Sequence, residues 1–305
     1  MLYFRHHGTF PVARVHASFH RICPRVTLGD PRVAGEITRP LGDPYDDFVP
    51  LVPIFFSHPM NLALVGTGQM GQAVAAVAAE GSHEVTARFN SDRPLVEASP
   101  TAIEAVDITV DFSLPSLAVP HFRRYCEWDV PVVMGTTGWY DALDEVQALV
   151  QHHDASVLYA PNFSIGVAVL SRAVDHVTSL MNEIEAYDAF VHEMHHTKKA
   201  DSPSGTARML AEQLVDGLER KDHIDPEAQH QRIDPSAVHV SSTRAGTAFG
   251  EHTVGFDSPY DRVSLRHRAK NRRGFAVGAL RAAEWLRGRT GLFTLDDVLD
   301  DWLED

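Results

Sequence analysis

The sequence predicts an α/β fold: an N-terminal Rossmann-type doubly wound parallel sheet followed by a second α+β domain. Three observations carry this reading. The apolar run at residues 60–65 passes into Gly66-Thr67-Gly68-Gln69-Met70-Gly71 and then an Ala/Val-rich stretch at 72–79, which is strand, glycine turn and helix in the order a dinucleotide fold requires. Apolar runs at 107–112, 131–134 and 157–160 each stop in a polar tip, as strands of one parallel sheet do at their carboxyl ends. Beyond Phe163, helical and strand-like segments alternate in the manner of a mixed sheet with helices on one face.

Taken in order, the first 59 residues stand apart. They hold eight prolines, six arginines and five acidic residues, with no Asp or Glu before Asp30 and no sustained helix or strand period. An Arg-bearing, acid-poor start has the flavour of a targeting peptide, but the Gly-Asp-Pro repeats and the lack of an amphipathic helix speak against one. The reading adopted is a leader that is disordered or lies upstream of a physiological start at Met60, and that packs on nothing.

In the glycine turn, Gly66 permits the tight bend, Gly68 lets backbone approach a pyrophosphate, and Gly71 allows close helix–strand packing, with Gln69 and Met70 completing the loop. Residues 84–89 supply the second strand of the βαβ unit, which ends at Asn90. Ligands of doubly wound sheets bind at the carboxyl ends of the strands. The tips Asp111-Phe112-Ser113, Gly135-Thr136-Thr137 and Ala160-Pro161-Asn162-Phe163 are therefore candidate cofactor contacts together with Gly66, Gly68, Gln69, Met70 and Asn90.

The second domain is expected over residues 163–272, after a dinucleotide domain over 60–162. It opens with a helix at 167–182, a strand at 186–194 and a helix at 206–220, and strands return at 238–244, 252–255 and 263–267. A helix at 274–287 closes the pattern within a last segment, 273–305. Between strand and helix lies Glu193-Met194-His195-His196-Thr197-Lys198-Lys199-Ala200-Asp201-Ser202-Pro203-Ser204-Gly205-Thr206-Ala207. Pro203 and Ser204 suit a helix entry, whose free N–H groups and dipole form an anion site. Histidines and lysines just upstream would face the same anion, which suits a small carboxylate substrate with a proton donor beside it. Lys198 is read as solvent-facing, Glu193 and Asp201 as residues that orient neighbours, and His252 and His267 as structural. Arg244 either holds substrate or makes an inter-domain contact.

Composition agrees with an enzyme. The chain has 305 residues, 44% of them hydrophobic, without an apolar run of membrane-spanning length. The only cysteines are Cys23 and Cys126, too few for a disulfide framework, and a reducing, cytoplasmic compartment fits. The net charge of −14, or −15 from residue 60 onward, argues against a nucleic-acid partner, which needs a basic face. Of only four lysines, Lys198 and Lys199 fall in the histidine motif.

Together these segments resemble one family, 4-hydroxy-tetrahydrodipicolinate reductase, the dihydrodipicolinate reductase of the diaminopimelate route to lysine. The likeness runs from Met60 to the C-terminus through V-G-T-G-Q-M-G, V-D-F-S, G-T-T-G, A-P-N-F-S-I-G-V, E-M-H-H-T-K-K-A-D-S-P-S-G-T-A, R-A-G-T-A-F-G-E-H-T-V and N-R-R-G-F-A-V-G-A-L-R-A-A-E-W-L. One departure is the shorter glycine loop, with Gln69 where many members carry Arg. The resemblance implies a nicotinamide-dependent reduction of a cyclic imine dicarboxylate. His195 is then the general acid, and Lys199 the second proton donor or anion-stabilising group. His196, Ser204, Gly205 and Thr206 would contact substrate. No metal is implied. The resemblance also implies a homotetramer built by the second domain's sheet, and C-terminal helices that return to the first domain.

The family is often dual in its cofactor. Here the tip of the second strand is the neutral Asn90 with Arg88 and Arg93 close by, so NADPH and NADH are both expected, with a modest tilt to NADPH. Two rivals differ in class: an aspartate-dehydrogenase-like enzyme, which would not need P-S-G-T after H-H-x-x-K, and a nucleotide-sensing module, which would need a basic DNA-binding face.

Overall fold

The computed structural model describes residues 56–304; the expectations for residues 1–55 lie outside the described residues. In chain order the first part contains β1 (Asn61–Val65), α1 (Gln69–Glu80), β2 (Glu84–Phe89), β3 (Ile108–Asp111), α2 (Pro115–Glu127), β4 (Val132–Met134), α3 (Leu143–His153) and β5 (Ser156–Tyr159). Then come α4 (Ile165–Asn182), β6 (Asp188–His195), α5 (Gly205–Gly217), β7 (His223–Asp225), β8 (Ala237–Arg244), β9 (Glu251–Asp257) and β10 (Arg262–Arg268). The chain closes with α6 (Arg273–Leu286), β11 (Gly291–Thr294) and α7 (Leu295–Glu304).

Six strands form one parallel sheet in the order β11-β5-β4-β3-β1-β2. The two-residue period of each strand sorts its side chains between two cores. Leu62, Leu64, Ile108, Val110, Val133 and Leu158 face α1 and α6. Ala63, Val65, Val132, Met134 and Val157 face α2 and α3. Helices on both faces bury the central strands β1, β3 and β4, which is why these runs read as apolar, while the edge strands β2 and β11 stay partly exposed. The strand order reverses between β1 and β3, and that switch point opens the cleft in which such sheets bind ligands.

The second sheet is mixed, in the order β10-β9-β6-β8-β7, with β6, β8 and β7 parallel and β9 and β10 antiparallel. One face packs on α4 and α5 through Leu170, Val174, Val191, Leu210, Leu214, Val240, Val254 and Phe256. Both helices begin at a serine cap: Ser164 Oγ accepts from Val167 N at 3.3 Å, and Ser204 Oγ accepts from Ala207 N at 3.2 Å.

Three features differ from the sequence reading. The closing segment is not helical throughout, because β11 adds a strand to the edge of the first sheet beside β5. Its residues, Gly-Leu-Phe-Thr, are all half-buried and too short to show a period. The strand β7 lies in the polar loop after α5, where no strand was expected. The segment before Met60 does pack on the core: Phe56 is half-buried against the first core, its ring centroid 4.4 Å from that of His83. Arg281 lies over the same ring at 5.2 Å, and the Ser57 N–H donates to Glu284. No helix among the described residues is long and apolar enough to cross a membrane.

Candidate active site

The glycine turn sits at the switch point. Gly66 has φ +85°, and a Cβ there would stand 2.3 Å from the carbonyl oxygen of Phe112, so the loops after β1 and β3 are in backbone contact. A Cβ on Gly71 would meet the Gly66 carbonyl at 2.1 Å, whereas one on Gly68 would meet nothing within 4 Å. Gly68 thus faces open space. α1 starts there with no side-chain cap and no acidic residue in its first turn, and Gln72 N donating to Gly68 O at 2.9 Å is its first helical bond. The preceding N–H groups are left for an anion, and this cradle fits a dinucleotide pyrophosphate. Gly68 and Gln69 are exposed and Met70 half-buried beside it.

The other strand tips separate into groups that can touch a cofactor and groups that hold the loops. Asp111, a candidate contact, is fully buried. Its Oδ2 accepts from Tyr125 Oη at 2.7 Å and from His121 Nδ1 at 2.8 Å, and its Oδ1 from Ser113 N at 2.9 Å and Thr136 Oγ1 at 3.4 Å. The carboxylate therefore ties the loops after β3 and β4 to α2, and it has no face left for a cofactor. Phe112 and Ser113 are half-buried, and the Phe112 ring fills the space that Gly135 leaves. Thr136 is buried and Thr137 exposed. Phe163 and Ala160 are core residues, so only their backbone can reach a ligand, while Pro161 is exposed. Asn162 accepts from Ser164 N at 2.7 Å and donates to Thr206 Oγ1 at 3.3 Å, which joins the β5 tip to the start of α5.

β6 delivers the motif of histidines to that same junction. Its residues alternate in burial, so Glu193 and His195 point to one side and Met194 to the other. Glu193 Oε2 engages His195 Nδ1, leaving Nε2 as the ring nitrogen available to a substrate. Glu193 Oε1 accepts from Arg244 Nη2 at 2.8 Å and from Ser204 N at 3.4 Å. Burial alone would raise the Glu193 carboxyl, but hydrogen bonds from Arg244, Ser242 and His195 outweigh it and hold the group down at about 2. His195, 7% exposed, is pushed below the ordinary histidine range by burial, with Glu193 pulling the other way. Arg244 also donates to Asp201 O at 2.6 Å; it is an internal tie of the second domain, not a contact between domains.

Of the remaining candidates, Lys199 is half-buried and pairs with Asp201 at 2.8 Å, while Lys198 is exposed. His196 is half-buried, its N–H donating to Ala248 O at 2.7 Å. Gly205 is exposed, and a Cβ on it would meet nothing within 4 Å. The hydroxyls are less free than expected: Ser204 is 2% exposed and Thr206 Oγ1 already accepts from Asn162. A concavity of about 600 Å³ between Ser57, Arg281, Trp285 and Trp302 touches none of these residues.

The geometry sets an open glycine turn on one sheet beside a buried acid–histidine pair and the serine-capped start of α5 on the other. Residues 60–163 match the family description "Dihydrodipicolinate reductase, N-terminus", and residues 166–299 match "Dihydrodipicolinate reductase, C-terminus". The chain belongs to the dihydrodipicolinate reductase family. A 4-hydroxy-tetrahydrodipicolinate reductase from Christiangramia forsetii is 35% identical over 242 residues, covering 79% of this chain and 98% of that protein. One from Neisseria meningitidis is 34% identical over 209 residues, covering 65% of this chain and 74% of its own length. Among solved structures, the dipicolinate-bound dihydrodipicolinate reductase from Paenisporosarcina sp. TG-14 superposes with a TM-score of 0.63 at 22% identity, covering 78% and 98% of the two chains, which is a likeness of fold. The enzyme is thus an oxidoreductase of the diaminopimelate route to lysine, in a family that uses NAD(P)H.

Sequence reasoning missed two residues at this centre. His252 is 4% exposed, its Nε2 is 3.1 Å from Ser204 Oγ, and its ring centroid is 5.2 Å from that of His195. Gly250 lies against His195, where a Cβ would come within 2.9 Å of Nε2. The G-E-H-T-V segment contained both. The missing signal was the register that sets His252 opposite Glu193 across β9 and β6, which no local pattern encodes.

Proposed function

We propose that the enzyme reduces 4-hydroxy-tetrahydrodipicolinate to tetrahydrodipicolinate with His195 as general acid. The observation that carries the assignment is the Glu193–His195 pair beside the capped turn of α5. Nicotinamide, when bound, supplies a hydride to the ring of the cyclic dicarboxylate. The glycine loop, with Gly66, Gly68, Gln69 and Met70, and the tips at Phe112-Ser113, Gly135-Thr136-Thr137 and 160–163 hold the cofactor; Asn90 lies at the ribose end. Glu193 keeps Nδ1 of His195 engaged, so the proton to be delivered sits on Nε2. Lys199 and His196 face the substrate with positive charge or donors. The N–H groups of Gly205 and Thr206 and the Ser204 hydroxyl hold a carboxylate at the helix start.

Both NADPH and NADH serve in this reading, with a modest tilt to NADPH. The same reading includes assembly into a homotetramer through the second sheet. A reducing, cytoplasmic setting suits the sparse cysteines. The test is cofactor oxidation by the purified chain with enzymatically generated substrate. His195→Gln should lower kcat by about 10²-fold or more with cofactor binding intact. Wild-type kcat in that variant removes His195 from the mechanism. Failure of the wild-type chain to oxidise cofactor removes the assigned reaction.

A further inference from the structure

His252 is an imidazole buried at the heart of the site with no role in the reaction just described. Its Nε2 lies 3.1 Å from Ser204 Oγ, and its Nδ1 is buried with no partner among the described residues. Ser204 Oγ already accepts from Ala207 N as the cap of α5, and the Ser204 N–H points to Glu193 Oε1 at 3.4 Å. The groups that face this imidazole are Glu193 and His195 from β6, Ser204 from the turn and His267 from β10, with Lys199 near.

Two neutral tautomers are open to His252. With the proton on Nδ1, Ser204 donates its hydroxyl proton to Nε2, and a buried N–H is left without an acceptor. With the proton on Nε2, that N–H donates to Ser204 Oγ, and only a lone pair on Nδ1 is left unpaired. Orphaned buried donors are the rarer and costlier case. The second tautomer has a consequence at the turn: Ser204 Oγ then accepts twice, from Ala207 N and His252 Nε2, and its own proton has no protein acceptor among the described residues. A hydroxyl on a buried residue that still holds an unused proton is placed to donate to a ligand.

We infer that His252, as the Nε2–H tautomer, is a positioning residue that turns the Ser204 hydroxyl proton out of the protein and onto a substrate carboxylate. The inference rests on the reading of the α5 turn as a carboxylate site. The neutrality it needs agrees with the environment, since burial pushes the His252 imidazole down to about 4, with His195 adding to the effect. The exchange is purely of hydrogen bonds; no bond to carbon is made or broken.

The probe is dipicolinate, the ligand named for the Paenisporosarcina enzyme. Nitrogen-15 NMR of histidine-labelled wild-type enzyme reports the tautomer directly. The expected result is an Nε2-protonated, Nδ1-bare His252, and an Nδ1-protonated ring would overturn the inference whatever the variants do. By calorimetry, Ser204→Ala and His252→Phe should each weaken dipicolinate about tenfold. The double variant should also be about tenfold weaker, not a hundredfold, because the two remove one shared interaction. KM for NAD(P)H should stay at the wild-type value. Unchanged dipicolinate affinity in a folded His252→Phe, or full additivity, defeats the proposal. Wild-type enzyme that turns over substrate yet ignores dipicolinate would instead remove the reading of the turn, and the NMR result would still decide the state of His252.

Discussion

Gly250 lies beside His195 in a position that only glycine permits: a Cβ on Gly250 would lie 2.9 Å from Nε2 of His195, and the backbone there has φ +146°. The Gly250 carbonyl is fixed by Ala269 N at 2.9 Å, so the strand start cannot simply retreat. Gly250→Ala must therefore displace the imidazole, strain the backbone, or both. Displacing a proton donor by about 1 Å can cost about 10²-fold in rate. The expected outcome is a kcat reduced about 10- to 100-fold with KM for cofactor unchanged, measured by steady-state kinetics. Wild-type kcat would show that His195 needs no such support.

Glu193 connects stability to pH. Its carboxyl titrates at about 2 in the fold against an ordinary value of 4.5, and its side chain is fully buried. A depressed carboxylate contributes stability that is present above the unfolded value and is lost as pH falls toward the folded one. The shift corresponds to roughly 3 kcal/mol at neutral pH, fading between about 4.5 and about 2. Glu193→Gln should remove that dependence and lower the melting temperature at pH 7, with less difference from wild type at pH 3. The substitution also removes the group that pulls the His195 value upward, so the limb on which kcat falls with rising pH should move to lower pH. An unmoved limb would mean that another residue supplies the proton.

Asp111 gathers four donors on one buried carboxylate, from two candidate cofactor loops and α2. Asp111→Ala leaves the Tyr125 hydroxyl unpaired in the core and His121 Nδ1 with only a 3.4 Å contact to Ser113 Oγ, a change expected to cost about 2–4 kcal/mol. Because the loops after β3 and β4 lose their common anchor, KM for NAD(P)H should rise about tenfold while KM for the dicarboxylate holds. Equal rises in both constants would assign Asp111 to general stability alone.

How far the sequence carried these conclusions depended on whether the decisive relation was local. Strands β3, β4 and β5 are legible to within about one residue because a buried parallel strand writes itself as a short apolar run, whereas the part-exposed β2 is legible from its place in the βαβ unit. The glycine turn was legible because three positions have three distinct steric needs. By contrast, β11 is four half-buried residues whose strand character comes only from pairing with β5. Asp111 read as a polar tip, but its carboxylate turns into the α2 side of the sheet, a fact set by strand alternation and by His121 and Tyr125 downstream. His252 was set aside as structural since its partners, Ser204 and Glu193, are 48 and 59 positions away.

Phe56 gives a direct measure of that limit. Residues before Met60 show no apolar period, yet this one ring fills the space over Gly81, where a Cβ would meet it at 2.2 Å, and lies against the tilted His83 ring and under the Arg281 guanidinium. A chain beginning at Met60 loses a half-buried aromatic side chain, worth about 1–2 kcal/mol. Its melting temperature should fall by roughly 3–8 °C relative to a chain beginning at residue 51, with kcat unchanged. Identical melting curves would mean that Phe56 contributes nothing in solution.

Cofactor choice turns on the tip of β2. Gly66 N donates to Phe89 O at 2.9 Å, which sets Asn90 beside the glycine loop where the adenosine ribose is expected. An acidic residue there would accept from the ribose 2′-hydroxyl and repel a 2′-phosphate. Asn90 is neutral, and its Oδ1 is committed to the loop, accepting from Asp92 N and Arg93 N at 3.0 Å each. Arg88 is exposed, and the Arg93 guanidinium lies 5.1 Å from the centroid of the Phe89 ring, so two cations border the position. Asp92 is the only carboxylate in the 90–93 turn. The balance favours use of both cofactors with kcat/KM modestly higher for NADPH. Arg93→Asp should reverse it by about tenfold or more toward NADH, because it would put a carboxylate that can accept from a 2′-hydroxyl where a cation now borders the position. Two measurements decide: a wild-type preference for NADH above about tenfold, or 1.4 kcal/mol, would place Asp92 at the ribose, and an Arg93→Asp variant with unaltered preference would take Arg93 out of the cofactor site.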